Sequence, residues 1–446
     1  MSKALKKAVQ QQVSRRRFLQ GSAATVGGLA LGSQLNFAQA QASSIEFWSQ
    51  PYGDAIEWKR LLDGLAAQFA DETGIDPSVE IINWPNAGQT WLLAAQGGAH
   101  PDVGDMYWLH SNAGIGAGEN GPMPITDYKD EYFPNLEERF FESALTDVTW
   151  NGEFYGIPWR GDIRPQIVRT DFLAEAGYET APDTWEEITE YAKALTIRDG
   201  DNVTRWGFSF GFSSNAVQQL MPYYWQAGGE FMSEDGETAT IDNDAMRTTL
   251  SWMRDLVWEH GVVDPNFMEA SYTPLDDFVA GTLAMSGSVP DNNVRRLEVD
   301  YPELDGSWAL EIPAMGPDNR AAYSGAGYWG LLYGTENVEE ALQWVEFLSR
   351  DENMQAITEY TSGVSPNKNV MASDFWQDRD WKKKIVETLE FGHTSQHPSP
   401  AWATISAGEP GGIIYDLMFN TVVKQGDIDA EIARAQERMQ AELDKV

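Results

Sequence analysis

The sequence predicts an α/β protein in two lobes, on three observations. Its 446 residues exceed what one hydrophobic core usually serves. Hydrophobic residues make up 42% and aromatics 12%, ample for packed cores and excluding a largely disordered chain. From residue 45 onward, strand-like and helix-like segments alternate. That order implies a mainly parallel sheet covered by helices, with ligands favoured at the carboxyl ends of the strands.

Ile45-Glu46-Phe47-Trp48 reads as the first strand. Trp58, Leu62, Leu65 and Phe69 follow at helical spacing, with Gly74 as the stop. Val79-Glu80-Ile81-Ile82 is the second strand, Gln89 to Gln96 a helix and Asp102 to Tyr107 the third strand. Thr184 as N-cap with Glu187 three positions later forms a capping box ahead of apolar Ile188, Ala192 and Leu195. Helical spacing returns at Ala341, Val345 and Leu348, and at Ile432, Ala435, Met439 and Leu443. Gly/Pro punctuation at Tyr155-Gly156-Ile157-Pro158, at Pro313 to Pro317 and at Gly363 to Pro366 offers three crossings between lobes. Three crossings interleave the lobes in sequence. The predicted boundaries are 43–157 plus 321–361 for lobe 1 and 158–320 plus 362–446 for lobe 2.

The formal net charge is −37. Without the six basic residues among the first 42 (Lys3, Lys6, Lys7, Arg15, Arg16, Arg17), 25 basic residues face 68 acidic ones, a net −43. Such a chain repels phosphate backbones and anionic lipid heads, so nucleic acid and the membrane surface are not expected partners. The imbalance suits concentrated salt, where self-repulsion is screened, and suggests a halophilic source. Cysteine is absent, which excludes disulfides, thiolate metal sites, a catalytic thiol and a lipid-modified N-terminal cysteine.

Ser14-Arg15-Arg16-Arg17-Phe18-Leu19, a weakly apolar run from Ala23 to Leu31 and small residues at Ala38-Gln39-Ala40-Gln41-Ala42 form a twin-arginine signal over residues 1–42. Cleavage is expected after Ala40 or Ala42. The apolar run is too short to span a bilayer. Without a lipid anchor, an exported chain is best retained by an outer membrane, which points to a periplasm.

Seven segments in order then carry a resemblance. They are Ile45-Glu46-Phe47-Trp48; Gly98-Ala99-His100-Pro101-Asp102-Val103; Tyr155-Gly156-Ile157-Pro158-Trp159 with Asp162 and Arg164; Pro182-Asp183-Thr184-Trp185-Glu186-Glu187; Phe278-Val279-Ala280-Gly281-Thr282-Leu283-Ala284-Met285; Gly325-Ala326-Gly327-Tyr328-Trp329-Gly330; and Ala341-Leu342-Gln343-Trp344-Val345-Glu346-Phe347-Leu348. Over nearly the whole chain past residue 42, the sequence is similar to the family 1 extracellular solute-binding proteins of ABC transporters, the group that includes the maltose-binding protein. The resemblance implies a periplasmic-binding-protein-like (type II) fold with a ligand cleft between the lobes, hinge closure, a carbohydrate ligand and a membrane permease as partner. A monomer is expected, with no cofactor and no catalysis. Val168-Arg169 departs from the Tyr-Arg pair of many members.

Sugar rings present flat C–H faces edged by hydroxyls, so their sites need aromatic planes and polar side chains. The resemblance places Trp48 and Tyr52 after the first strand and Trp108 after the third, with Trp84 a further aromatic in a Pro-containing loop. It places Trp159, Arg160, Asp162 and Arg164 on the first crossing, where a carboxylate and guanidinia fork onto hydroxyls. In the second lobe it offers Trp225, Asp291 and Asn292; the last two read equally well as ordinary turn residues. Tyr328 and Trp329 lie on the glycine-rich return crossing, and Trp402 resembles the late stacking residue of the maltose-type site.

Other readings have less support. A glycoside hydrolase needs two carboxylates at a set separation, and no segment singles out such a pair. A polyamine site needs clustered carboxylates beside aromatics, whereas the first crossing carries Arg160 and Arg164, which fit a neutral or anionic sugar better. His393 and His397 stand four apart, but Pro398 and the missing Glu make loop histidines the simpler reading than a metal site. No phosphate-cradling loop or serine elbow is visible, so the transporter's energy must come from another polypeptide.

Overall fold

The structure is a computed structural model. It describes residues 44–83, 87, 90–91, 94, 100–107, 121–150, 152–212, 215–269, 271–394, 399 and 401–445. The export signal, most of the helix expected over 89–96, and Trp84, Trp108 and His397 lie outside the described residues.

The chain opens with strand β1 (Ser44–Ser49), helix α1 (Ala55–Thr73), strand β2 (Asp76–Ile81) and strand β3 (Val103–Tyr107). Asp54 caps α1 by accepting from the Ile56 and Glu57 amides, and Gly74 ends it at φ 76°, a left-handed conformation that glycine adopts without strain. Trp58, Leu62, Leu65 and Phe69 line the buried face of α1, as their spacing predicts. β2 starts earlier than its apolar residues suggest, with Pro77 opposite Ile45. β2 ends the strand order, and an edge strand tolerates a residue without an N–H.

Next come strands β4 (Ile157–Ile163) and β5 (Gln166–Arg169), helices α2 (Trp185–Leu195) and α3 (Ala216–Gln226), strand β6 (Met285–Ser286), helix α4 (Asp291–Asp300) and strand β7 (Trp308–Glu311). Then follow strand β8 (Ala322–Leu331), helix α5 (Val338–Leu348), strand β9 (Gly392–Thr394) and the C-terminal helix α6 (Ile428–Leu443). At α2 the Glu187 amide donates to Thr184 Oγ1 at 3.2 Å, as a capping box requires, but the Glu187 carboxylate accepts from the Asp183 amide at 2.7 Å, one residue before the cap.

Among the described residues, the larger sheet has six strands in the order β9-β8-β3-β1-β2, with β4 also on β8. β1 runs parallel to β2 and β3, which is the predicted β-α-β arrangement, while β8 is antiparallel to β3 and β4. β6, β5 and β7 form a second, antiparallel sheet.

Three cores result. One joins α1, β1 and β3 to Trp159, Trp329 and α5. A second gathers α2, α3 and α6 with Trp225 and Trp402. A third lies around Ile163, Ile167, Leu310 and Trp376. β8 reaches all three, through Ala322 to the third, Tyr323 to the second and Tyr328 and Trp329 to the first.

Candidate functional site

The carboxyl ends of β1 and β3 meet at Asp105, which is fully buried. Its carboxylate accepts from Ser49 Oγ at 2.8 Å and Trp159 Nε1 at 2.8 Å. Burial pushes this carboxyl up to about 6, against the pull of those donors and of nearby Arg160. With its amide turned to suit both neighbours, Gln50 donates to the Asp105 carbonyl at 3.0 Å and accepts from Trp91 Nε1 at 2.7 Å. Tyr52 packs edge-on against Trp159 with ring centroids 4.9 Å apart, and the Arg160 guanidinium lies 4.9 Å from the Tyr52 ring. Asp105 therefore ties the end of the parallel sheet to the first crossing strand.

The strand at the expected first crossing is β4. Period-two alternation puts Arg160, Asp162 and Arg164 on one side of the strand direction, with Trp159 and Ile163 on the core side. The Gly161 amide donates to the Val364 carbonyl at 2.7 Å, and β8 pairs along the other edge of β4. Of the predicted crossings, 155–158 thus lies beside β8, and 363–366 lies along the opposite edge of β4. The segment from Pro313 to Pro317 lies against the start of α2, where the Met315 amide donates to the Asp183 carbonyl at 2.7 Å.

Two guanidinium–carboxylate pairs sit here. Arg160 donates to Asp291 Oδ1, and both are buried, at 8% and 1% exposure. The Asn292 amide also donates to Asp291 Oδ1, at 2.6 Å. The second carboxylate oxygen, Oδ2, is buried with no partner among the described residues. Burial raises the Asp291 carboxyl to about 6 despite Arg160; nearby Asp162 adds to the rise. Gly363 lies against this pair: a Cβ there would stand 2.9 Å from Arg160 Nε and 3.0 Å from Asp291 Oδ2. The second pair is bidentate, with Arg164 Nη2 2.6 Å from Asp162 Oδ2 and Nε 3.2 Å from Oδ1. Arg164 also donates to Gln218 Oε1 at 2.9 Å and lies 4.0 Å from the Tyr323 ring.

The structure brings Tyr52, Trp159, Arg160, Asp162, Arg164 and Asp291 into one connected group. The expected aromatic planes are differently disposed. Trp159 and Trp329 stack on each other, centroids 5.3 Å apart at 4°, and both belong to the first core. Trp225 stacks on His393 at 4.3 Å, Trp402 packs edge-on to Phe231 at 5.3 Å, and Tyr328 is buried beside Met106. These rings are engaged by protein in this structure rather than open to a ligand. Trp48 is partly exposed against Trp91. Asp291 and Asn292 are not turn residues; they open α4, where Asn292 is exposed. His393 is not a loop histidine either: it lies in β9, its Nε2 2.7 Å from Glu230 Oε1. Among the described residues, no group of three or more His, Asp or Glu could hold a metal ion.

Asp105, Gln218 and Tyr323 are the members that sequence reasoning missed. Asp105 had a signal, a carboxylate inside the strand Val103–Tyr107 at a position whose neighbours are packed. Gln218, in the first turn of α3, had none.

Residues 54–355 match the family model for the bacterial extracellular solute-binding proteins. The chain belongs to this family. A binding protein of Brucella abortus (strain 2308) is 21% identical over 440 residues, covering 96% of this chain and 99% of its own. A lactose-binding protein of Rhizobium radiobacter is 24% identical over 325 residues, covering 64% and 72%. A solved ABC transporter solute-binding protein of Thermotoga lettingae, bound with α-D-tagatose, superposes with a TM-score of 0.76 at 18% identity, covering 90% of this chain and all of that one. This solute-binding protein accordingly has the two-lobed α/β fold with its ligand cleft between the lobes. No helix among the described residues is long and apolar enough to cross a membrane.

Proposed function

We propose that this solute-binding protein captures a carbohydrate in the cleft between its lobes and delivers it to the membrane permease of an ABC transporter. The observation that carries the reading is the polar group at the crossings. There the Arg160–Asp291 and Arg164–Asp162 pairs meet β4, α4 and the third crossing, and Asp291 Oδ2 is a buried acceptor in want of a hydrogen. A hydroxyl-rich ligand supplies such hydrogens. The tagatose-bound neighbour and the lactose-binding relative support a sugar over other solutes.

In this reading residues 43–157 plus 321–361 form lobe 1 and 158–320 plus 362–446 form lobe 2. Residues 1–42 direct export of the folded chain by the twin-arginine route to the periplasm. Trp48 and Tyr52, with Trp84 and Trp108, supply the apolar side of the site, and Arg160, Asp162, Arg164, Asp291 and Asn292 the polar side. Each carboxylate of the crossings already serves an arginine, which favours binding over hydrolysis. A ligand that binds only the native state raises its unfolding midpoint. The test is a thermal-shift panel of mono-, di- and oligosaccharides and polyamines, with product monitored by chromatography. A concentration-dependent rise with a sugar and no product is expected; a response to polyamines alone, or turnover of a glycoside, would replace the reading.

A further inference from the structure

We infer that the site selects uncharged saccharides, and that Asp162 and Asp291 are the specificity-determining residues, because each cancels the arginine that would otherwise recruit an acidic sugar. The inference rests on the carbohydrate reading above. An unpaired guanidinium between lobes is a strong receptor for a carboxylate or phosphate, which it binds by parallel N–H···O bonds. Here both guanidinia are already held by the chain's own carboxylates. Arg164 is occupied on two edges, by Asp162 at 2.6 Å and by Gln218 at 2.9 Å, and Tyr323 covers a face. Arg160 is held by Asp291 and sits over the Tyr52 ring.

Two positive and two negative groups leave the crossings neutral, and buried Asp105 adds a further carboxyl beneath them. An acidic sugar would enter with nothing to pair its charge and would lose its hydration. The field of a chain carrying −37 opposes its approach as well. A cationic amino sugar would meet only carboxylates already shared with arginines. What the site offers in the buried state is an acceptor, Asp291 Oδ2, which suits a neutral hydroxyl.

The test uses the full-length protein in a thermal-shift and calorimetric panel. The neutral probes are tagatose, lactose and maltose, the acidic ones galacturonate and digalacturonate, and the cationic one glucosamine. The wild type is expected to respond to at least one neutral probe and to no acidic one. Asp162→Asn keeps the shape but leaves Arg164 uncompensated, so it should gain at least about tenfold in affinity for digalacturonate, the scale of a charged hydrogen bond. Asp291→Asn, read in the same way through Arg160, is the second variant should the first fail to fold. A wild type that binds the acidic probe more tightly than every neutral one, or folded variants that stay blind to it while still binding the neutral sugar, would overturn the inference with the carbohydrate reading intact. A wild type silent to every sugar of any charge would remove the carbohydrate reading and this inference with it.

Discussion

Replacing Asp105 with asparagine should change how stability depends on pH, and the size of the change follows from where the carboxyl sits. Burial raises it from 3.8 to about 6, so the folded protein holds that proton more tightly than the unfolded chain does. A raised acid contributes stability that is fully present below its unfolded value and is lost as pH rises through its folded value. A rise of about two pH units corresponds to about 3 kcal/mol, most of it lost between roughly pH 4 and pH 7. Asparagine does not titrate and loses nothing over that window. Asp147 and Asp291 are raised in the same direction, to about 6 each, but they remain in both proteins and cancel in the comparison. The measurement is urea unfolding of both proteins at fixed salt, followed by tryptophan fluorescence at pH 4, 5, 6 and 7. The gap between them should move in favour of Asp105→Asn by about 2 kcal/mol from the lowest pH to the highest, because part of the full effect lies below pH 4. A gap that does not vary with pH would refute the reasoning, since it would mean that burial leaves the Asp105 carboxyl where water does.

The remaining predictions concern packing, capping and charge. Gly156→Ala should destabilise the protein by about 1–3 kcal/mol, because its Cβ would run into the Trp329 carbonyl, which no rotamer change can relieve; the urea midpoint measures it. Thr184→Ala should cost about 1 kcal/mol, since it removes the acceptor of the Glu187 amide at the start of α2, while Thr184→Ser should restore most of it. Raising potassium chloride from about 0.1 M to about 1 M, which shortens the Debye length from about 10 Å to about 3 Å, should raise the melting temperature of a chain carrying −37; a falling melting temperature would argue against self-repulsion as the dominant charge effect.

The strand and helix order was legible because it rests on local periodicity. The apolar stripe of α1 and the capping box of α2 are printed in consecutive residues. The ordered segments pointed to the crossings, and so to Arg160, Asp162 and Arg164 before their partners were visible. The pairing was not legible: Arg160 meets a carboxylate 131 positions away, and such a contact depends on how distant segments pack rather than on any local pattern. The same limit explains the tryptophans. Aromatic residues at strand ends suit a sugar face and a packed core equally well, and Trp159 is drawn inward because Asp105 accepts its indole N–H and Trp329 meets its ring.

β8 belongs to all three cores, and its ladder with β4 shifts register between Gly327 and Tyr328, the step that faces Arg160 and Pro158. In terms of cooperativity, the three cores are not independent folding units joined by a tether, because removing one strips a shared strand from the other two. A bulged step is also where a ladder bends at the least loss of hydrogen bonding. The strand shared by the three cores therefore carries, within its own length, a step at which its ladder with β4 can bend.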